Sequence, residues 1–562
     1  MAWIERALAV LEVDPRGGGV PPFAEGENAM GLRPVDHWKR GGWRGASCGG
    51  NSDWSFWRIG KTVLLMIRNF LRKCLRVFPV VVFWGGLGVF LVTGWAVDPQ
   101  GYRAFRNGLI GDRTRPTYHL VSPEGKASPM DPNCAIYWKG RYHLFYIFQG
   151  IYSHVSSHDL VHWRWHPDVR LGSGIMNSGG CCLNKDGVPT LIYMSDRLKR
   201  NAISMAADDD LEKWSEPTVV EPEVGANEDG SKISHWDPEI WREGNIHYAL
   251  FGNHPFQIGK EATVMKSTDL KTWEYIGPFL SKEMPEVSRT TEIKTNEDIS
   301  CPNFFKLGEK WMLLCISHIR GCRYYLGEWN GKQFTPEFHA RMNWSLSDGM
   351  KEGGHGGEFF APETLLTPDG RRVMWAWCFA SSRSGGNGLW DGILSLPREL
   401  SLPADGILRI KPVKELEQLR YLPVSEPAFA VESAVPYRLK CLAGDTIEII
   451  ATIKRGSATG YGMRLLANKE NGAGIDLVVE PESKTIRLGS SVAPFELKPG
   501  EDMVLRVFID RRTVEIFAND RQSIVKQHTY EPDETGVSFF SEGGRMEVKE
   551  VRGWKMSQTN PW

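Results

Sequence analysis

Three acid-bearing segments punctuate a chain rich in short apolar runs: Met130-Asp131-Pro132-Asn133, His235-Trp236-Asp237-Pro238, and Asn296-Glu297-Asp298-Ile299-Ser300-Cys301-Pro302. Carboxyl groups exchange protons near neutral pH, so such residues can serve as general acids or bases, whereas the hydroxyl of Ser300 titrates far too high for that task. Taken singly, Asp before Pro is a common turn former. Recurring beside apolar strands, the three segments become candidates for one site.

The elements that would bring them together are visible as a repeat. Asp159-Leu160-Val161-His162-Trp163 is echoed by Asp210-Leu211-Glu212-Lys213-Trp214 and Asp269-Leu270-Lys271-Thr272-Trp273, with tryptophans 51 and 59 residues apart. That spacing is about one four-stranded propeller blade. Five turn-plus-strand runs accompany it: G-R-Y-H-L-F-Y-I-F, G-V-P-T-L-I-Y-M-S, G-N-I-H-Y-A-L-F-G, G-E-K-W-M-L-L-C-I-S and G-R-R-V-M-W-A-W-C. They are short, rich in aromatic and β-branched residues and bounded by turn formers. The expectation is an all-β chain with a five-bladed β-propeller over 125–422, a linker at 423–440 and a β-sandwich over 441–556. A propeller gathers the inner strands of all blades around one axis, so acids distant in sequence converge at one mouth.

Before this region the chain divides into a basic segment (1–76), an uncharged run Val77 to Val97, and a linker (98–124). The apolar run is about long enough to span a bilayer. Arg68, Arg72, Lys73 and Arg76 precede it, which predicts a cytoplasmic N-terminal side and export of everything after Asp98. From Met66 onward the pattern also fits a signal peptide, so the exported part is read as membrane-anchored or released by cleavage.

Composition narrows the partners. With 67 basic and 68 acidic residues, net charge −1 and no massed basic patch, nucleic acid is not expected. The 22 tryptophans suit sugar rings as well as cores. Ten cysteines include no C-x-x-C pair and no histidine at zinc-finger spacing, so neither a metal nor a cofactor is expected. Cys181 and Cys182 are read as buried free thiols in preference to disulfide partners.

The motifs resemble those of glycoside hydrolase family 32, the invertases, levanases and inulinases, from about Tyr118 to Trp554. The resemblance rests on Met130-Asp131-Pro132-Asn133-Cys134, Trp236-Asp237-Pro238 and Ser300-Cys301-Pro302. Further similar segments are Tyr142-His143-Leu144-Phe145-Tyr146, Gly357-Glu358-Phe359-Phe360-Ala361-Pro362, Leu394-Ser395-Leu396-Pro397-Arg398 and Val514-Glu515-Ile516-Phe517. It implies a retaining glycosidase acting on β-fructofuranosides of sucrose, levan or inulin type, with an oligo- or polysaccharide substrate. Asp131 would be the nucleophile and Asp237 the transition-state stabiliser, with Asn133, Trp236, His235 and Glu358 as substrate-binding residues.

Four positions depart from the family pattern: Met130 replaces Asn, Cys134 replaces Gly, Trp236 replaces Arg, and Ser300 replaces the acid/base Glu. Strand alternation puts Asp298 on the face of Ser300, making it the first candidate for a displaced acid. Glu297 is the second, and Glu358 and Glu363 stand behind it. No G-x-S-x-G elbow surrounds Ser300, so a serine nucleophile is not expected. Two other readings stay open: a fructan-binding protein that has lost its acid, and a glycosidase for another furanoside.

Overall fold

The computed structural model describes residues 103–104, 107–108, 111–122, 130–172, 174–220, 235–253, 261–281, 298–318, 321–344, 359–379, 392–529, 531 and 533–560. The apolar run 77–97, with the basic segment before it, lies outside these residues, as do Glu297 and Glu358. Among the described residues no helix is long and apolar enough to cross a membrane.

Strand-forming sequence accounts for nearly all the regular structure. Four antiparallel sheets of four strands and one of five follow one another along the chain, and their innermost strands are Pro132–Trp138, Met176–Leu183, Trp236–Glu243, Ser300–Leu307 and Phe359–Leu366. Each innermost strand touches those of the neighbouring blades, and the fifth touches the first, closing a ring. This is the strand pattern of a five-bladed propeller. The five apolar runs picked out by their turns form the second strand of each sheet: Arg141–Phe148, Pro189–Ser195, Ile246–Gly252, Lys310–Ser317 and Arg372–Phe379.

The Asp-Leu-x-x-Trp repeat has a local cause. Asp159 Oδ1 accepts from the Val161 and His162 amides, and Asp269 Oδ1 from those of Lys271 and Thr272. In the second blade Asp208 does this work, accepting from Glu212 and Lys213. These bonds hold Leu160, Leu211 and Leu270 at φ of 65°, 57° and 61°, a left-handed conformation that buries each leucine just before the outer strand.

Two stretches expected to be linkers are structural. Within 98–124, Leu120 accepts from the Leu394 amide and Val121 bridges Ile393, so the segment before the first blade clasps the fifth blade. Within 423–440, Arg420–Glu426 is an edge strand on Met546–Met556, and its proline is accommodated by the bulge between Tyr421 and Val424. Together with the strands that follow, it forms a seven-stranded sheet and a six-stranded sheet enclosing an apolar core that includes Ile449, Val507, Ile516 and Phe539. A second apolar cluster joins the fifth blade to this sandwich through Phe508, Phe517 and Met556.

A further correction concerns cysteine. Cys181 is bonded to Cys134, while Cys182 is a free thiol. Both half-cystines lie on innermost strands, and it is the ring that places the first blade beside the second.

Candidate active site

All five innermost strands carry a register shift at the same end, beside Pro132, Met176, Trp236, Ser300 and Phe360. Bulges bend a strand and re-aim its side chains. Three residues at these bulges, Asp237, Cys301 and Ala361, have φ of 33°, 44° and 43°. The bulges thus decide which residues turn toward the mouth of the ring.

Asp131 immediately precedes the first innermost strand and is held by its backbone: its carbonyl accepts from the Ile147 amide at 2.9 Å and from Asn133 Nδ2 at 2.5 Å. The carboxylate is buried, and among the described residues Oδ1 accepts no hydrogen bond. Burial and the neighbouring charge of Asp237 push its pKa up to about 7, against the opposing charge of His318. Asp237 is likewise buried and is raised to about 6, chiefly by burial. The charge of His318 and the Cys301 amide, which donates to Oδ2 at 3.1 Å, act the other way. Two carboxyl groups from the first and third blades therefore sense each other and titrate near neutrality.

The third segment holds a chain of hydrogen bonds whose polarity is fixed. Trp236 Nε1, which can only donate, lies 2.7 Å from Ser300 Oγ, so the serine proton points on to Asp298 Oδ2 at 2.8 Å. Asp298 Oδ2 also meets His318 Nδ1 at 2.6 Å, and Oδ1 accepts from the His318 amide at 2.9 Å. Asp298, expected from the sequence to supply the proton, is thus bonded through Oδ2 to Ser300 and His318 and through Oδ1 to the His318 amide. Ile299 fastens the segment to the third blade, donating to Asn253 Oδ1 at 2.9 Å and accepting from the Asn253 amide at 3.2 Å. A Cβ on Gly252 would collide with the Ile299 carbonyl, so this close approach requires glycine.

The remaining candidates sort by their contacts. Asn133 is buried, and its Nδ2 braces the Asp131 carbonyl while Oδ1 accepts no hydrogen bond among the described residues. Trp236 is half-buried, its indole N–H committed to Ser300, and His235 packs 5.3 Å from the Phe251 ring. Glu363 lies deeper, where the Ala135 amide and Asn303 Nδ2 donate to it. Burial lifts it to about 8, against these bonds and Arg372. Three buried histidines of the first blade, His143, His154 and His166, also come close together. His143 Nδ1 meets His154 Nε2, His166 bonds Ser156 and Glu212, and the ring of His154 stacks on both others, so they form a packed column.

His318 is the residue that sequence reasoning missed. Ser300 pairs with Ile316 across the hairpin, which puts His318, two residues on, opposite Asp298, two residues back. The hairpin count from Leu307 and Lys310 gives this pairing only after the bulge between Ser300 and Asn303 shifts the register.

Residues 121–412 match the Glycosyl hydrolases family 32 N-terminal domain and residues 415–555 the Glycosyl hydrolases family 32 C terminal region. The chain belongs to glycosyl hydrolase family 32. Among its relatives, the sucrose-6-phosphate hydrolase of Escherichia coli is 24% identical over 495 residues, covering 79% of this chain and 96% of the relative. A levanase of Bacillus sp. (strain L7) is 26% identical over 556 residues, covering 87% of this chain and 57% of that longer protein. The fold is similar to fructan 1-exohydrolase IIa from Cichorium intybus, with a TM-score of 0.65 and 17% identity over 80% of this chain and 98% of that one. Sucrose-6-phosphate hydrolase from Lactobacillus gasseri gives a TM-score of 0.64 and 19% identity over 82% of this chain and 97% of that one. As a member of family 32, the chain is a glycoside hydrolase by descent, and its relatives hydrolyse β-fructosides.

Proposed function

We propose that the protein hydrolyses O-glycosyl bonds in β-fructofuranosides of sucrose, levan or inulin type with retention of configuration, using Asp131 as nucleophile and Asp237 as transition-state stabiliser. The observation that carries this reading is the pair itself: two buried, mutually repelling carboxylates at the bulged ends of innermost strands, one with an oxygen that accepts no hydrogen bond among the described residues. Asp131 attacks the anomeric carbon while the bond to the leaving oxygen breaks, and water later releases the fructosyl group from the enzyme. Burial makes both carboxylates costly when no positive charge is near. As the ring acquires oxocarbenium character that cost is relieved, so the stabilisation is larger in the transition state than in the ground state. Asp237 also accepts from ring hydroxyls, and bonds to a charged acceptor are the stronger kind.

Activity requires ionised carboxylates. Because Asp131 is raised to about 7 and Asp237 to about 6, kcat/KM should climb as pH rises from about 5 to 8, with apparent values belonging to the pair. The test is to incubate the full-length chain with sucrose, inulin and levan and follow the anomer first released by NMR. Release of β-fructose supports the reading, and the α-anomer as first product would sink the retaining mechanism.

Ser300 at the acid/base position favours one rival, a fructan-binding protein without turnover. Binding of inulin or levan with no fructose released would establish that rival. The reading also includes export, membrane-anchored through 77–97 or released by cleavage. It is supported by the cations ahead of the apolar run and by the Cys134–Cys181 bond, which suits an oxidising compartment.

A further inference from the structure

We propose that His318, held by Asp298, is the general acid and base of this site, taking over the proton transfer that Ser300 cannot perform. The inference rests on the fructosidase reading above and names the residue which that reading leaves unassigned.

The hydrogen-bond polarity leads to it. Trp236 donates to Ser300 and Ser300 donates to Asp298 Oδ2, and the same oxygen lies 2.6 Å from His318 Nδ1, which donates when the ring is an imidazolium. The exchangeable proton of the imidazole is then carried on Nε2. A histidine braced at one nitrogen by a buried carboxylate, with the other nitrogen handling the proton, is a common acid/base arrangement. The two nearby departures from the family pattern become one device. Trp236 fixes the Ser300 hydroxyl, Ser300 occupies less room than a glutamate, and the pair orients Asp298 toward the imidazole.

Position and charge agree. The His318 side chain keeps 18% of its surface exposed while that of Asp298 has none, so the imidazole is the member of the pair that solvent and substrate can reach. Among the described residues, the carboxylates whose charges act on it are Asp298, Asp237 and Asp131. Burial disfavours the imidazolium, but the bond to Asp298 and the charges of all three carboxylates outweigh it and raise the pKa above the ordinary value of 6.5. His318 in turn favours ionisation of both Asp131 and Asp237, placing it within electrostatic reach of nucleophile and stabiliser. Glu363 does not compete, because the Ala135 amide and Asn303 occupy its oxygens deeper in the ring.

The step balances without any co-reactant. As Asp131 bonds to the anomeric carbon, the carbon–oxygen bond to the leaving group breaks and its electron pair takes the proton from His318 Nε2. Neutral His318 then removes a proton from water, whose oxygen attacks the anomeric carbon. Fructose leaves, Asp131 returns as carboxylate, and the imidazolium is restored.

The experiment compares full-length parent, His318→Asn, Asp298→Asn and Asp131→Asn on sucrose or inulin and on an aryl β-fructofuranoside whose phenolate leaves without protonation. Asparagine keeps a donor near the Nδ1 position but lacks Nε2. His318→Asn should lose roughly 10²- to 10⁴-fold in kcat/KM on the natural substrate and less than about tenfold on the aryl fructoside. Asp298→Asn should move the alkaline limb of the kcat/KM profile to lower pH, a change that a merely structural role would not cause. Natural-substrate turnover by His318→Asn within a few-fold of the parent would overturn the proposal, as would equal losses on both substrates. An alkaline limb unmoved in Asp298→Asn would overturn it too. If the parent turns over neither substrate, the fructosidase reading itself fails, whereas an active parent silenced on both substrates by Asp131→Asn leaves that reading intact and makes His318→Asn a test of the histidine alone.

Discussion

His119 and His318 are the same chemical pair in two settings. Each has Nδ1 against a buried aspartate, Asp510 at 2.9 Å and Asp298 at 2.6 Å. Around His119 the second nitrogen meets Glu515 at 3.3 Å, and Glu515 in turn meets Arg398 at 3.0 Å, with every one of these side chains fully buried. Asp510 also accepts from the Thr117, Tyr118 and His119 amides, so the cluster rivets the segment before the first blade to the sandwich and, through Arg398, to the fifth blade. Burial opposes the imidazolium, yet the bonds to Asp510 and Glu515 raise His119 to about 9. His318 is raised as well, but part of its side chain is exposed and two further carboxylates face it. Identical donors and acceptors thus serve cohesion where both nitrogens are enclosed, and proton transfer where one edge stays reachable.

The comparison would break first at Asp131, the partner that gives His318 something to do. Asp131→Asn should cost at least about 10⁴-fold in kcat/KM on every fructoside, aryl substrates included. Its stability should move the other way. The folded value of about 7 lies above the ordinary 3.8, so this carboxyl's favourable contribution is complete below about pH 3.8 and lost as pH passes 7. Asp131→Asn should therefore melt higher than the parent at pH 8, and an unchanged melting temperature there would contradict the burial argument.

His119→Ala leaves Asp510 and Glu515 buried without their partner. It should destabilise the fold by about 3–5 kcal/mol in denaturant titration while the folded fraction retains its kcat. His318→Asn should cost less than about 1 kcal/mol in the same titration, since its donor to Asp298 is kept. Similar stability losses at the two positions would erase the distinction between brace and acid.

The disulfide tests whether the reactive side needs covalent help. Cys134→Ser should cost about 2–4 kcal/mol, given the 47-residue separation that the bond closes. The smallest effect expected is in the pH dependence of melting. His119 stabilises the fold fully below about pH 6.5, and this contribution fades as pH rises through about 9. Melting temperatures of the parent should decline across that window, and the His119→Ala variant should decline less.

Much of this was legible before folding was considered. Alternating strands and their turns are local properties, so the five second strands could be found by pattern, and Asp131 and Asp237 stood out as Asp-Pro pairs shortly before two of them. Asp298 was found from the shared face with Ser300, but its contact with His318 was not visible there. Which way a hydrogen bond points depends on Trp236, 64 residues from Ser300. Cys181 was misread because its partner lies on the neighbouring blade. That Asn133 Nδ2 also braces the backbone two residues away was not visible in the sequence.

By itself the sequence determined the strand repeat, the identity of two acids and the loss of a glutamate, because residue type and two-residue periodicity require no partner. Only the tertiary structure decided which groups meet. Closing five blades into a ring brings Asp131 within reach of Asp237 and Cys134 onto Cys181, and one bulge sets the register that places His318 on Asp298. A one-residue shift at that bulge turns a side chain from one face of the strand to the other, and no local pattern in the chain carries that information.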